Sequence, residues 1–235
     1  MEMTVKDAAK MFDASVSAIY KWIEELGMPA VRVQEQYRFN STELLEWATV
    51  TGVRVSADFL SNPSAPAGAL PEVSEAIRAG GVFYGVAGDD KESVMKAVVR
   101  LIRLPKTIDR KFLLQMLLAR EALGSTGVGA GIAIPHPRTP IVLRVEEPAI
   151  GLFFLEHPVD FGSLDGKPVD TLFTLVSPTV KAHLHLLSRL AFLLHEPALK
   201  KALRQRMDEK NILETIERLV AGLKRKQRMA SGEGR

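Results

Sequence analysis

A proline-rich stretch, SNPSAPAGALP at residues 61–71, limits the folds that this 235-residue chain can adopt. It contains three prolines, small side chains and no charge, so it has too little apolar surface to join a packed core. Such a composition is typical of a semi-extended linker between folded units. The sequence therefore predicts two domains of unequal size, at residues 1–57 and 72–235, joined by a linker at 58–71.

Composition is typical of ordinary globular protein. Hydrophobic residues make up 46% and charged residues 25% of the chain, and no apolar run reaches the roughly 20 residues that span a bilayer. The N-terminus lacks the basic and apolar pattern of a secretion signal. The absence of cysteine excludes disulfides, thiolate metal sites and a cysteine nucleophile. We therefore expect a cytoplasmic protein that does not enter a membrane.

Charge is distributed unevenly along the chain. Residues 1–55 contain six Lys and Arg against eight Asp and Glu, a net charge of −2, whereas residues 200–235 contain eleven against five, a net charge of +6. The basic character is therefore a property of the C-terminal segment, which includes KRKQR at 224–228. We interpret that segment as a solvated helix end and tail.

The smaller unit has the helix and hairpin signals of a winged helix-turn-helix. Thr4, with Asp7 three residues later, predicts a capped first helix, and Ser15 is a suitable N-cap for a second helix that ends at Gly27. Alternating apolar and polar residues at 31–39 predict a hairpin, which a third helix follows. Two helices joined by a tight turn, then a hairpin and a helix, form the winged helix-turn-helix layout.

This order of signals resembles the excisionase/MerR-type DNA-binding domain over residues 3 to about 50. The matching features are Ser-x-x-x-Ile-Tyr-x-Trp in the second helix, the wing, and a phenylalanine followed by the third helix. The resemblance implies that the second helix enters a DNA major groove and that the wing reaches phosphates. The side chains implied in DNA contact are Ser17, Tyr20 and Lys21 on the helix and Arg32 and Arg38 on the wing.

Electrostatics leave the role of the smaller unit open. DNA affinity comes largely from the neutralisation of phosphates, yet this unit has a net charge of −2, and Glu24 and Glu25 stand at the end of the second helix. A module that docks a protein partner is therefore an alternative to a DNA-binding domain. Trp22 and Trp47 fit core positions better than base-stacking positions.

The larger unit alternates apolar strands with amphipathic helices. Strand-like runs lie at 80–86, 131–135, 148–155 and 169–177. Helical patterns begin near Asp90, Ile108, Val180, Pro197 and Asp208. Helices on either side of several apolar strands indicate an α/β domain with one central sheet.

A glycine-rich stretch that leads to a proline-flanked histidine is the most unusual feature of the larger unit. GSTGVGAGIAIPHPR at 124–138 does not match the G-x-G-x-x-G or P-loop patterns of nucleotide sites. Pro135 and Pro137 restrict the backbone around His136, so a strand delivers an imidazole at its end. That preorganisation suits a nucleophile in phosphoryl transfer, with nearby glycines letting backbone N–H groups approach phosphoryl oxygens. A turn histidine with a structural hydrogen bond is the alternative.

REALGSTGVGAGIAIPHPR at 120–138 resembles the active-site signature of phosphotransferase-system IIA domains of the fructose/mannitol/nitrogen-regulatory type. The similarity extends across about 75–222. It implies a mixed sheet flanked by helices and an enzyme component of the phosphotransferase system that acts as a phosphohistidine carrier. It also implies that His136 accepts a phosphoryl group from a histidine phosphocarrier of the HPr or NPr type.

The same resemblance implies roles for four further residues. Arg120 would stabilise the phosphoryl oxygens and favour a neutral imidazole, and His183 would donate a hydrogen bond to the phosphoryl group. Thr126 and Gly127 would line the same pocket.

No metal or other cofactor is expected. His183 and His185 stand two positions apart on a predicted helix, so their side chains point in different directions and cannot chelate one ion together. We expect His185 at the surface. Pro137 replaces the glycine that is common in the family, which would narrow the access to His136.

Two features that this chain lacks distinguish between the known kinds of IIA protein. It has no membrane span and no cysteine of the kind that the related IIB domains phosphorylate. We therefore expect a regulator of the nitrogen-regulatory type, in which phosphorylation alters DNA binding by the smaller unit. One alternative is a protein-interaction regulator without DNA binding. The other is a sugar-specific IIA carrier that passes phosphate to a separate IIB protein.

Overall fold

The computed structural model describes residues 2–33, 36–51, 53–56, 70–137 and 145–230. Most of the predicted linker, at 57–69, lies outside these residues, and so does the segment at 138–144 that follows the proline-flanked histidine. The described residues form one small hydrophobic core before the linker and two larger cores after it.

The N-terminal part folds as the capping and turn signals predict. Its elements are β1 (Glu2–Met3), α1 (Val5–Phe12), α2 (Val16–Glu25), β2 (Val31–Val33), β3 (Gln36–Asn40) and α3 (Ser41–Thr51). Thr4 and Asp7 form the expected capping box, and the Ser15 hydroxyl accepts a hydrogen bond from the Ala18 amide. The strands are antiparallel in the order β1-β3-β2, so the hairpin is the predicted wing.

Aromatic side chains form the centre of the small core. The Phe12 ring lies edge-on to Trp22 and to Trp47, with 5.8 Å between ring centroids in both pairs. Trp47 is buried, and its Nε1 donates a hydrogen bond of 2.9 Å to the Leu26 carbonyl. Both tryptophans are therefore core residues, as the sequence predicts.

The C-terminal part is a three-layer α/β unit. Its elements are α4 (Val73–Gly80), β4 (Val82–Val86), α5 (Lys91–Leu101), α6 (Arg110–Ala122), β5 (Gly127–Gly129), β6 (Ile132–Ala133), β7 (Ala149–Val159), β8 (Val169–Val176), α7 (Val180–His195), α8 (Pro197–Arg204) and α9 (Glu209–Ala230). The strand order is β4-β7-β8-β6-β5. β4 runs parallel to β7 and β6 parallel to β8, while the other two pairs are antiparallel. The expected mixed sheet flanked by helices is confirmed.

Successive side chains of the central strands point to opposite faces of the sheet, and each face belongs to one of the two larger cores. Ile150, Leu152 and Phe154 of β7 face the core that α4, α7, α8 and α9 cover. Phe153 and Leu155 face the opposite core, which α5 and α6 cover. Burial on both faces explains why this strand is an almost continuous apolar run.

Four elements differ from the sequence expectation. The helix α4 and the short strands β1 and β5 carry no strong sequence signal. Strand β7 continues to Val159, beyond the expected end of the strand at residue 155, so His157 is an exposed strand residue. No helix in the described part of the chain is long and apolar enough to cross a membrane.

Candidate functional site

The topology of the sheet brings two histidines together. Strands β6 and β8 are parallel, so their carboxyl ends lie at the same edge of the sheet. His136 follows β6 after two residues, and His183 lies in the first turn of α7, the helix that follows β8. The centroids of their imidazole rings are 5.3 Å apart.

Hydrogen bonds to the chain orient both rings. Nδ1 of His136 lies 2.6 Å from the carbonyl oxygen of Ile134. Since a carbonyl can only accept, Nδ1 carries the proton, and the lone pair of the neutral ring resides on Nε2. Nδ1 of His183 lies 3.2 Å from the hydroxyl of Ser177, at the end of β8. His136 is 3% exposed and His183 is fully buried.

Arg120 is attached to the same region through the loop that follows α6. It lies in the last turn of that helix, is 7% exposed, and donates a hydrogen bond of 3.0 Å from Nη1 to the Gly124 carbonyl. The carbonyl of Thr126 in turn accepts a 2.9 Å hydrogen bond from the amide of Ile134, two residues before His136. The arginine, the loop and the strand end are therefore held in one connected arrangement.

A buried carboxylate anchors this loop, and the sequence analysis did not identify it. Oε2 of Glu121 accepts hydrogen bonds from the Thr126 amide at 3.0 Å and from the Thr126 hydroxyl at 2.6 Å. The ammonium of Lys91 lies 3.0 Å from Oε1, and it also donates to the Phe161 carbonyl at 2.9 Å. Glu121 stands beside Arg120 in sequence, but its partner Lys91 belongs to a different helix, so spacing along the chain gives no signal for the pair.

Gly127 opens β5 at the same edge. A Cβ atom on this residue would lie 2.1 Å from Oγ of Ser163. Since real side chains do not approach so closely, only glycine lets the strand pass the loop at 161–168. Gly127 therefore keeps the backbone beside Thr126 in place.

We expect Glu121→Ala to destabilise the protein by about 3–5 kcal/mol, because the substitution leaves Lys91 and the Thr126 polar groups without their buried partner. Urea denaturation followed by circular dichroism measures the loss. The matched control is Glu92→Ala, which removes an exposed ion pair between Lys96 and Glu92 and should leave the stability close to that of the wild type. Equal losses for both variants would contradict the anchoring role of Glu121.

The implied DNA-contacting residues of α2 lie on one exposed face. Tyr20 is 44% exposed and contacts the Tyr37 ring edge-on at 5.9 Å. Lys21 is exposed and forms an ion pair of 3.7 Å with Glu25. Ser17 is exposed, and its hydroxyl lies 2.8 Å from that of Ser15. Helix and wing are therefore joined through the two tyrosines.

The two wing arginines are not equivalent. Arg32 is exposed and pairs across the hairpin with Tyr37, so it shares the face that meets α2. Arg38 follows Tyr37 directly and lies on the opposite face of the strand. Arg38 is half-buried, and its guanidinium donates to the side chain of Gln36 at 2.9 Å. The structure therefore groups Tyr20, Lys21 and Arg32 and separates Arg38 from them.

Two further histidines belong to α7. His185 is half-buried, not exposed as expected; its pKa is lowered by burial and by Arg189, while a hydrogen bond with the Pro71 backbone opposes the shift. His195 is also half-buried, at the end of α7. Among the side chains that the structure describes, no group of three or more His, Asp or Glu is arranged to hold a metal ion.

Family models match both parts of the chain. The model described as "Phosphoenolpyruvate-dependent sugar phosphotransferase system, EIIA 2" matches residues 75–219, which is more than half of the chain. A helix-turn-helix domain model matches residues 2–49. The two resemblances found in the sequence are therefore confirmed.

Relatives and a solved structure agree with the match to the phosphotransferase-system family. The chain is 39% identical over 126 residues to the nitrogen regulatory protein of Pseudomonas aeruginosa, covering 52% of this chain and 79% of the relative. It is 32% identical over 148 residues to the fructose-specific EIIABC component of Bacillus subtilis, covering 62% of this chain and 23% of that protein. The crystal structure of nitrogen regulatory protein IIA-Ntr from Neisseria meningitidis superposes with a TM-score of 0.54 at 25% identity, covering 61% of this chain and 98% of the other.

Proposed function

Because the chain belongs to the phosphotransferase-system EIIA 2 family, we propose that it is a regulatory protein of the nitrogen-regulatory type, phosphorylated on His136 by a histidine phosphocarrier of the HPr or NPr kind. The observation that supports this proposal most is the pairing of His136 with His183 at the carboxyl ends of two parallel strands. Relatives named nitrogen regulatory proteins support the regulatory assignment.

The proposed transfer uses the ring nitrogen that the hydrogen bonding of His136 selects. Nδ1 donates to Ile134, so Nε2 attacks the phosphorus with its lone pair. The bond between that phosphorus and the imidazole nitrogen of the carrier breaks as the new N–P bond forms, and the electron pair stays with the carrier histidine. Such a reaction depends on alignment and charge stabilisation more than on proton transfer.

Two neighbours supply that stabilisation in the proposal. The guanidinium of Arg120 would offset the charge of the phosphoryl oxygens, as a fixed cation held by the Gly124 carbonyl. His183 would donate from Nε2 when the Ser177 hydroxyl donates to its Nδ1. Thr126 and Gly127 would shape the wall of the pocket.

The helix-turn-helix part suggests which activity the phosphorylation of His136 controls. The proposed boundaries are 1–57 for this domain, 58–71 for the linker and 72–235 for the IIA domain. In the proposal, the phosphorylation state of His136 changes DNA binding through the face formed by α2 and the wing. Exposed Tyr20, Lys21 and Arg32 on one face support this reading.

A second candidate function has its own observation. Val16, Tyr20 and Val31 are large apolar side chains that are 42%, 44% and 63% exposed on the same small domain. With a net charge of −2 over residues 1–55, this surface also suits an apolar patch on a protein partner. In that case phosphorylation of His136 would control a protein contact instead of a DNA contact.

A gel-shift experiment tests the proposed coupling. The intact protein, unphosphorylated or phosphorylated with phosphoenolpyruvate, enzyme I and the carrier, is titrated onto the DNA upstream of its own gene. A difference in affinity between the two forms, absent in His136→Ala, supports the proposal. If neither form shifts any DNA at low salt, DNA binding is wrong and the protein-partner function takes its place.

We expect Arg32→Ala to weaken DNA binding on all sequences and to reduce the slope of log affinity against log salt by about 1, since one phosphate contact is lost. Fluorescence anisotropy at several salt concentrations measures both quantities. Tyr20→Ala should instead reduce the difference between specific and non-specific DNA. The matched control is Lys10→Ala, which removes an exposed charge from α1. An effect of Lys10→Ala equal to that of Arg32→Ala would contradict the assigned face.

A further inference from the structure

The helix-turn-helix domain packs against the elements that form the candidate site. Its helix α3 (Ser41–Thr51) contacts the helix α7 (Val180–His195) and the strand β5 (Gly127–Gly129). β5 begins directly after Thr126, and α7 contains His183. The contact therefore involves the strand that follows Thr126 and the helix that contains His183.

Three consecutive residues at the start of α7 face three different partners. His183 lies beside Ser177 and His136. Leu184 packs against the core of the helix-turn-helix domain, beside residues of its helices. His185 has a hydrogen bond with the backbone of Pro71, the last residue of the proposed linker. Since successive helical residues are rotated by about 100°, one turn of α7 connects the site with both neighbours.

The C-terminal end of α7 also lies near the helix-turn-helix domain. Arg54, in the segment after α3, lies close enough to His195 for its charge to act on this imidazole. The pKa of His195 is lowered by burial first, then by Lys200 and Arg54, while Glu196 opposes the shift. Val53 and Val55, on either side of Arg54, pack against the small core. The segment after α3 therefore lies near one end of α7 and Leu184 near the other.

From these contacts we infer that the helix-turn-helix domain and the phosphocarrier compete for one surface, the face formed by β5 and the first turns of α7. The inference rests on the proposed phosphorylation of His136. A carrier must bring its own histidine into line with Nε2 of His136, yet His136 is 3% exposed and His183 is fully buried in the docked arrangement. In the inferred competition, α3 leaves this face before the carrier reaches His136.

The packing of α3 against α7 does not cover the proposed DNA-binding face formed by α2 and the wing. Val16 and Tyr20 of α2 and Val31 of the wing remain exposed while α3 is packed against α7. The occupant of the shared surface is thus this chain's own α3, and its release frees the whole domain without altering α2 or the wing. Release changes where the domain can move and not which side chains it presents.

Leu184→Arg tests the competition in the intact protein. An arginine at this half-buried contact should weaken docking. If the docked form of the wild type outnumbers the open form by about ten to one, phosphorylation of His136 by the carrier should become about tenfold faster in the variant. The matched control is Leu104→Arg, the same change at a half-buried leucine that packs against the core under α5 and α6. The control should be phosphorylated at the wild-type rate.

The titration of His195 by NMR provides a measurement that does not depend on a variant. Its pKa should rise towards the ordinary value when saturating carrier binds wild-type protein and displaces α3, because Arg54 and part of the burial are lost; Leu184→Arg should show the rise without the carrier. Label at equal rates on all three proteins, with an unchanged His195 titration, would overturn the competition and leave the proposed function intact. No label on any of the three would overturn the phosphorylation itself. If Leu184→Arg fails to fold, the wild-type titration decides alone.

Discussion

His136→Ala is expected to abolish phosphorylation of this protein. With phosphoenolpyruvate, enzyme I and the histidine carrier, the wild type should acquire phosphate that is labile in acid and stable in base, as a bond between phosphorus and an imidazole nitrogen requires. The variant has no nucleophile at the end of β6 and should acquire none. Radiolabelled phosphate retained on the denatured protein measures the incorporation.

The control for this experiment is His157→Ala. His157 is exposed on β7, so its removal should leave the label at the wild-type level. His183→Ala should retain a reduced rate, because its proposed contribution is a hydrogen bond and not the bond to phosphorus. Label that persists in His136→Ala and disappears in His157→Ala would show that the acceptor has been assigned to the wrong histidine.

Arg120→Ala is expected to slow phosphorylation by about 10²-fold or more. This is the scale of losing one preorganised group that stabilises charge in the transition state. Rapid-quench measurement of the single-turnover rate, with the carrier already phosphorylated, isolates the transfer step. Arg120→Lys should recover part of the rate, because it restores the charge without the planar fork of the guanidinium.

Two comparisons separate this effect from a loss of structure. Arg120 is buried and bonds to the Gly124 carbonyl, so thermal unfolding of each variant must be measured alongside its rate. Arg100→Ala removes an exposed arginine from α5 and should be phosphorylated like the wild type. A folded Arg120→Ala protein with the wild-type rate would contradict the proposed contact with the phosphoryl oxygens.

The parts of the fold that follow local rules could be predicted from the sequence. Thr4, Ser15 and Asp90 cap their helices as their residue types indicate, because the bonds involved span only three residues. The apolar runs that form β7 and β8 are also unambiguous, since a strand buried on both faces needs apolar side chains on both.

The parts that depend on distant partners could not be predicted. Gly127–Gly129 has little strand propensity and becomes β5 because β6 pairs with it. The buried position of Glu121 follows from Lys91 in another helix. The hydrogen bond between His185 and the Pro71 backbone joins residues more than a hundred positions apart. The composition of the linker suggests independent domains and contains no information about the contact between α3 and α7.

The signature around His136 could be recognised from sequence, but its geometry could not. Neither the 5.3 Å separation from His183 nor the role of Ser177 follows from the residue order, because the three residues meet only when β6 and β8 lie side by side. The separation of Arg32 from Arg38 has the same origin, since the hairpin register decides which arginine shares a face with α2.

The hydrogen bond between Nδ1 of His136 and the Ile134 carbonyl also determines which chemical species would accumulate. Imidazole has two nitrogens, and phosphorylation of one or the other gives two different regioisomers. The bond of 2.6 Å closes within two residues on a backbone that Pro135 restricts. In the proposed reaction the adduct is therefore always the tele isomer. A partner that recognises the phosphorylated protein then meets one regioisomer of phosphohistidine and not a mixture of two.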